Sequence, residues 1–164
     1  MAKVYGTDKL DVLNFLDGAT DGADTIFGYG GDDWIFGGGG DDLLQGGTGA
    51  DKLFGGDGYD TAAYGDSPVG VYINLQTGQA THGTAEGDQL FSIENLAGSW
   101  FNDNLVGNDY NNTLSGLGGD DGLTGNGGAD ILDGGWGIDT AEYADSPADC
   151  RRNGLAPLAF RFRR

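Results

Sequence analysis

The sequence predicts an all-β fold, a parallel β-roll (a right-handed β-solenoid) of nonapeptide repeats. Three observations predict it. Glycine supplies 34 of 164 residues, far above ordinary usage. Glycine, aspartate and a large apolar residue return in phase every nine residues. The aromatic and branched side chains that a disordered glycine-rich linker lacks are present, in a chain that is 38% hydrophobic.

The repeating frame is Gly-Gly-x-Gly-x-Asp-x-U-x, with U large and apolar. Residues 37–45 (GGGGDDLLQ) and 46–54 (GGTGADKLF) fit it fully. Residues 28–36 (GYGGDDWIF) lack only the second glycine, and 55–63 (GGDGYDTAA) carry the small Ala62 at U. Residues 19–27 (ATDGADTIF) keep Gly22, Asp24 and Ile26. A second block runs through 98–106 (GSWFNDNLV), 107–115 (GNDYNNTLS), 116–124 (GLGGDDGLT), 125–133 (GNGGADILD) and 134–142 (GGWGIDTAE).

Each part of the unit has a structural reading. The glycines permit positive φ and close backbone approach, so the first six residues form a tight turn. The last three, x-U-x, form a short strand whose middle side chain faces one way and whose neighbours face the other. Nine residues make half a coil and eighteen complete it. Stacked coils then give two parallel sheets with the U residues between them and turns along both edges. The expected core is a thin ladder of Ile26, Ile35, Leu44 and Leu53, repeated from Leu105 to Leu132.

The turns explain the acids. Asp24, Asp42 and Asp60 should stack on one edge, and Asp33 and Asp51 on the other. In the second block Asp103, Asp121 and Asp139 should stack opposite Asn112 and Asp130. Like charges one coil apart repel, and a hard divalent cation between them turns repulsion into ligation. Carboxylates plus turn carbonyls, here those of Gly22, Gly31, Gly40, Gly49, Gly58, Gly119, Gly128 and Gly137, make an all-oxygen shell that suits Ca2+. Zinc would call for His or Cys, and His82 is the sole histidine. Each adjacent same-edge pair is one expected site, up to about six in all. Asp42 and Asp121 each lie between two sites, and the pair built on Asn112 lacks a charge and should be the weakest. Asp32, Asp41 and Asp120, each preceding a ligand, are read as solvated.

Charge excludes some partners. All 26 acids lie in residues 1–149, which hold three lysines, a net of −23. Five arginines and no acid follow. Such a body repels nucleic acid and anionic membranes and requires counter-cations to be compact. Cys150 is the sole cysteine, so no internal disulfide is expected. No N-terminal basic and apolar signal is seen, which argues against general secretory export by a cleaved leader.

These ten units closely resemble the glycine-rich nonapeptides of the RTX (repeats-in-toxin) hemolysin-type proteins. The opening MAKVYGTDKLD through GYGG is similar to secreted rhizobial nodulation-type members. The resemblance implies a calcium-loaded β-roll, an extracellular location, and export by a type I machinery that reads an uncleaved C-terminal signal.

The remaining segments divide the chain into 1–63 (cap and first block), 64–97 (bridge), 98–147 (second block) and 148–164 (basic tail). In the bridge, VYINL reads as a strand and QTG as a turn, giving extra coils that join the blocks into one solenoid. Glu86, Asp88 and Glu94 are read as solvated acids, with further metal ligation as the alternative. Residues 55–68 match 134–147 at ten of fourteen positions, and the likeness stops where the charge changes sign. The tail is therefore read as disordered or out of register. Ser67 and Ser146 belong to the duplicated Asp-Ser-Pro corner and read as turn residues. Trp34, Phe36 and Phe54 flank U on outward positions. They fit either a polysaccharide- or host-surface-binding stripe or packing under a terminal segment. No HExxH, nucleophile elbow or phosphate loop is present, so no catalytic residue and no enzyme is expected.

Overall fold

The computed structural model describes residues 2–14, 19–142 and 159–163. The N-terminal coils supply β1 (Lys3–Tyr5), β2 (Val12–Leu13), β3 (Thr25–Gly30), β4 (Trp34–Gly39), β5 (Leu43–Thr48), β6 (Lys52–Asp57) and β7 (Thr61–Ala63). The bridge supplies β8 (Tyr72–Asn74), β9 (Gln79–Thr81), a single 3-10 turn Gly83–Ala85, β10 (Gln89–Phe91) and β11 (Asn95–Ala97). The remainder comprises β12 (Asn104–Val106), β13 (Thr113–Ser115), β14 (Gly122–Thr124), β15 (Ile131–Asp133), β16 (Ile138–Glu142) and β17 (Ala159–Arg163).

The strands deal alternately into two sheets, as half-coils of nine residues require. One sheet runs β1-β3-β5-β7-β11-β13-β15 and is parallel throughout. Its registers place Ile26 beside Leu44, Leu44 beside Ala62, Ala62 beside Leu96 and Leu96 beside Leu114. The other runs β2-β4-β6-β10-β9-β8-β12-β14-β16-β17. It pairs Ile35 with Leu53, Leu53 with Leu90, and Leu105 with Leu123. The U side chains meet between the sheets. Ile26, Ile35, Leu44, Leu53, Ile73, Leu105 and Leu114 are all fully buried. The fold is the all-β parallel roll that the period predicts.

Three details differ from the sequence reading. Strands β3 to β6 have six residues rather than three. The inter-coil ladder continues through the next Gly-Gly pair, as the Gly38–Gly56 register shows. The bridge inserts an antiparallel hairpin, β8–β9, between β10 and β12 of one sheet. Its turn is pinned by the Thr77 N–H donating to Asn74 Oδ1 at 3.0 Å. In the opposite sheet β11 sits directly between β7 and β13, so the coils stay continuous across the bridge. Residues 159–163 pair antiparallel with β16. The second Asp-Ser-Pro corner with Ser146, Cys150 and tail residues 148–158 lie outside the described residues.

A roll this thin has a particular weakness. One buried U side chain per nine residues gives a small hydrophobic gain, while every backbone in the unit must be ordered and glycine loses the most freedom. The turns have to supply what the core does not.

Candidate metal centre

The turns stack acids along both edges, with Asn112 in place of one on the first edge and the β8–β9 hairpin interrupting the second. On the first edge the Asp24 N–H donates to Asp42 Oδ1 at 2.7 Å and the Asp42 N–H to Asp60 Oδ1 at 2.8 Å. The Asp60 N–H donates to Glu94 Oε2 at 3.0 Å, and the Asn112 N–H to Asp130 Oδ1 at 2.9 Å. On the second edge the Asp33 N–H reaches Asp51 Oδ1 and the Asp51 N–H reaches Asp88 Oδ1, both at 2.8 Å. Beyond the hairpin the Asp103 N–H donates to Asp121 Oδ1 at 2.8 Å and the Asp121 N–H to Asp139 Oδ1 at 3.0 Å. The stacking partners expected from the nine-residue frame are therefore the ones brought together.

One oxygen of each carboxyl is used this way, and the other is the informative one. Oδ2 of Asp33, Asp42, Asp51, Asp60 and Asp121 is buried and has no hydrogen-bond partner. A buried carboxylate oxygen without a donor is costly. Burial accordingly pushes Asp51 and Asp60 up to about 6 and Asp121 up to about 7, with the neighbouring acids of the column adding to the rise. Burial also raises Asp33, Asp42, Asp103 and Asp130. Asp24 departs from this pattern. Burial raises it, but N–H groups of Ala2 and Thr20 and the Thr20 hydroxyl outweigh that and hold it below the ordinary value.

The glycines shape the space around these oxygens. A Cβ on Gly37, Gly46, Gly55 or Gly116 would occupy the space beside the unpartnered Oδ2 of Asp42, Asp51, Asp60 or Asp121. A Cβ on Gly28 would meet both Asp33 Oδ2 and the Gly46 carbonyl of the next coil. Of the glycines expected to offer carbonyls, Gly31, Gly40 and Gly119 aim their oxygens at the Cα of Gly49, Gly58 and Gly137 one coil on. Carbonyls thus line the same coil interfaces as the acids. Gly128 packs against the Tyr110 carbonyl, and Gly22 alone of the set has an unstrained φ. Among the described residues no three His, Cys, Asp or Glu side chains converge on one point. The donor set at each interface is carboxylate plus backbone carbonyl, all oxygen, which is the chemistry of a hard cation.

Four copies of the RTX calcium-binding nonapeptide repeat model match the chain, over residues 19–44, 27–62, 97–125 and 106–141, more than half its length. The chain belongs to the RTX calcium-binding nonapeptide repeat family. A comparison with curated proteins gives no match. The RTX repeats account for calcium binding, and the buried, unpartnered aspartate oxygens fit that ion.

Sequence reasoning undervalued several residues. Asp88 is not a solvated acid. It is 3% exposed, accepts the Asp51 N–H on one oxygen and the Tyr64 hydroxyl at 3.1 Å on the other, and burial pushes it up to about 7. Glu94, half-buried, continues the first column. Both follow the RTX spacing only through gaps of 37 and 34 residues, so periodicity hides them. Glu86 does stay outside the columns, its Oε2 taking the His82 N–H at 2.9 Å. Asp32, Asp41 and Asp120 do more than meet solvent. Their Oδ1 atoms accept N–H groups of Ala50, Tyr59 and Ile138 in the following coil, at 2.8–3.0 Å. The Ala50 and Tyr59 N–H groups sit at turns between strands, and that of Ile138 opens β16. Asn112, where the charge is missing, donates its Nδ2 to the Glu94 carbonyl at 2.8 Å.

Proposed function

We propose that this chain is a secreted RTX module whose folding is switched on by calcium in the extracellular medium. The observation that carries the reading is the set of buried aspartate oxygens that no protein donor satisfies, repeated at successive coil interfaces. Up to about six ions are proposed, one for each same-edge pair of RTX repeats. Their ligands are Asp24, Asp33, Asp42, Asp51, Asp60, Asp103, Asp121, Asp130 and Asp139, with carbonyls of the fourth-position glycines from Gly22 to Gly137. A bound calcium supplies positive charge and a demand for oxygen ligands. The acids of neighbouring coils then attract through the shared ion where they would otherwise repel, and each filled interface orders the next. Where free calcium is low, the same acids and the glycine entropy keep the chain extended and threadable, which suits export by a type I machinery. Among the described residues no helix is long and apolar enough to cross a membrane.

Calorimetric titration with calcium, followed in parallel by circular dichroism, tests this. Wild type should bind several ions as β signal appears. Asp42→Asn, which removes a charge shared by two interfaces, should weaken two sites by about tenfold or more each. Binding of no calcium by the wild type would refute the proposal.

A second reading has its own support. On the outer face of the larger sheet Phe36, Phe54 and Phe91 stack with ring centroids 4.6 and 4.7 Å apart. Trp34 tilts against Phe54 at 6.2 Å. Beside Phe91 opens a groove whose lining includes Gln76, Thr77, Gln79 and Gln89 together with the acids Glu86 and Asp88. Flat aromatic faces beside amides and hydroxyls suit an uncharged polysaccharide, and the acids of the groove and of the body disfavour an anionic one. A glycan array probed with and without calcium separates this binding role from a purely calcium-switched export module. Phe54→Ser should abolish any calcium-dependent glycan signal and leave calcium binding intact.

A further inference from the structure

The unpartnered oxygen on Asp33 lies outside the pairs that the repeats alone define. Asp33 is fully buried. Its Oδ1 accepts the Asp11 N–H at 2.7 Å, so the carboxyl faces the coil before the first recognised repeat, and its Oδ2 has no partner. That earlier coil is residues 6–14, GTDKLDVLN, in which Gly6, Asp11 and Leu13 stand at the first, sixth and eighth places of the nonapeptide.

The backbone around it copies the repeats. The Trp34 N–H donates to the Asp11 carbonyl at 2.9 Å, as the Lys52 N–H does to the Asp33 carbonyl at 2.7 Å. The Gly28 carbonyl lies against the Cα of Gly6, as the Gly46 carbonyl lies against Gly28. The Lys9 carbonyl lies against Gly31, as the Gly31 carbonyl lies against Gly49. Asp11 is held in place by the Thr7 N–H and hydroxyl, which donate to its Oδ2 at 2.6 and 2.9 Å. Asp11 and Asp32, which act on Asp33, are both acidic, as is Asp51 of the next coil.

We propose that Asp11 and Asp33, with the Lys9 carbonyl, form a further calcium site that fastens the N-terminal coil to the roll. It rests on the calcium reading of the repeats and extends it to a unit with no glycine at the second or fourth place. The matched repeats begin at residue 19, beyond this coil. The site takes a hard divalent cation with oxygen ligands.

Native mass spectrometry and calorimetry on the full chain count the ions in wild type and Asp11→Asn. One ion fewer in the variant, with the other sites unchanged, is the expected result. A variant that keeps the wild-type count and affinities overturns the N-terminal site and leaves the repeat sites standing. A wild type that takes up no calcium overturns both. Because the substitution also weakens the bonds from Thr7, a second measurement uses wild type alone. Crystals grown in calcium should show an anomalous peak between Asp11 and Asp33. Peaks at the repeat interfaces with none here would refute the proposal.

Discussion

Stripped of calcium at about pH 7.5, the chain is expected to lose its β signal, and acidifying the same chelated sample to about pH 4 should restore part of it. The cause is the buried carboxyl set. In the folded coil burial pushes Asp51 and Asp60 up to about 6 and Asp88 and Asp121 up to about 7. In the unfolded chain the same groups titrate near their ordinary value of 3.8. Between these limits the folded state binds more protons than the unfolded state, so stability of the metal-free roll falls as pH rises. The penalty is absent below the unfolded value and complete once pH passes about 7. Calcium reverses the trend because it takes the place of those protons. Its affinity should climb through the same pH window, with proton release on binding. A site filled at a hundredfold excess over its Kd stabilises the fold by about 2.7 kcal/mol. Circular dichroism across pH in chelator and in calcium gives both curves. A chelated sample whose β content only falls on acidification would contradict this account.

Gly49→Ala should raise the calcium needed for folding and lower the melting temperature more than Gly65→Ala does. Gly49 has φ +138, a region that side chains avoid. Its added Cβ would fall within the Gly31 carbonyl oxygen of the preceding coil. Backbone strain of this kind costs about 1–3 kcal/mol, and the clash adds to it by forcing two coils apart just where Asp33 meets Asp51. Gly65→Ala is the matched control, since its Cβ would find only Leu117 Cδ1 at 3.8 Å. A calcium midpoint and melt for Gly49→Ala equal to those of Gly65→Ala would show that coil spacing does not depend on that glycine.

Much of the fold is legible in the period itself. An in-phase glycine, aspartate and leucine at nine-residue spacing requires partners eighteen apart, and Ile26 beside Leu44 and Asp24 bonded to Asp42 follow directly. What the period does not reach is where the chain leaves it. The coil of residues 6–14 keeps Gly6, Asp11 and Leu13 but loses its other glycines. It stands 22 residues before Asp33 rather than 18, which breaks the phase. Buried Asp88 accepts the hydroxyl of Tyr64, a contact 24 residues away that no local pattern encodes. The β8–β9 hairpin adds two strands to one sheet while the other sheet closes directly from β7 to β11, an asymmetry set by tertiary packing.

The claim on which all of this depends is that cations bridge the acid columns. Anomalous diffraction from crystals grown in calcium tests it most directly. The account predicts calcium peaks beside the buried Oδ2 atoms of Asp42, Asp51, Asp60 and Asp121, at coil after coil. Well-ordered coils with only water at those oxygens would contradict it.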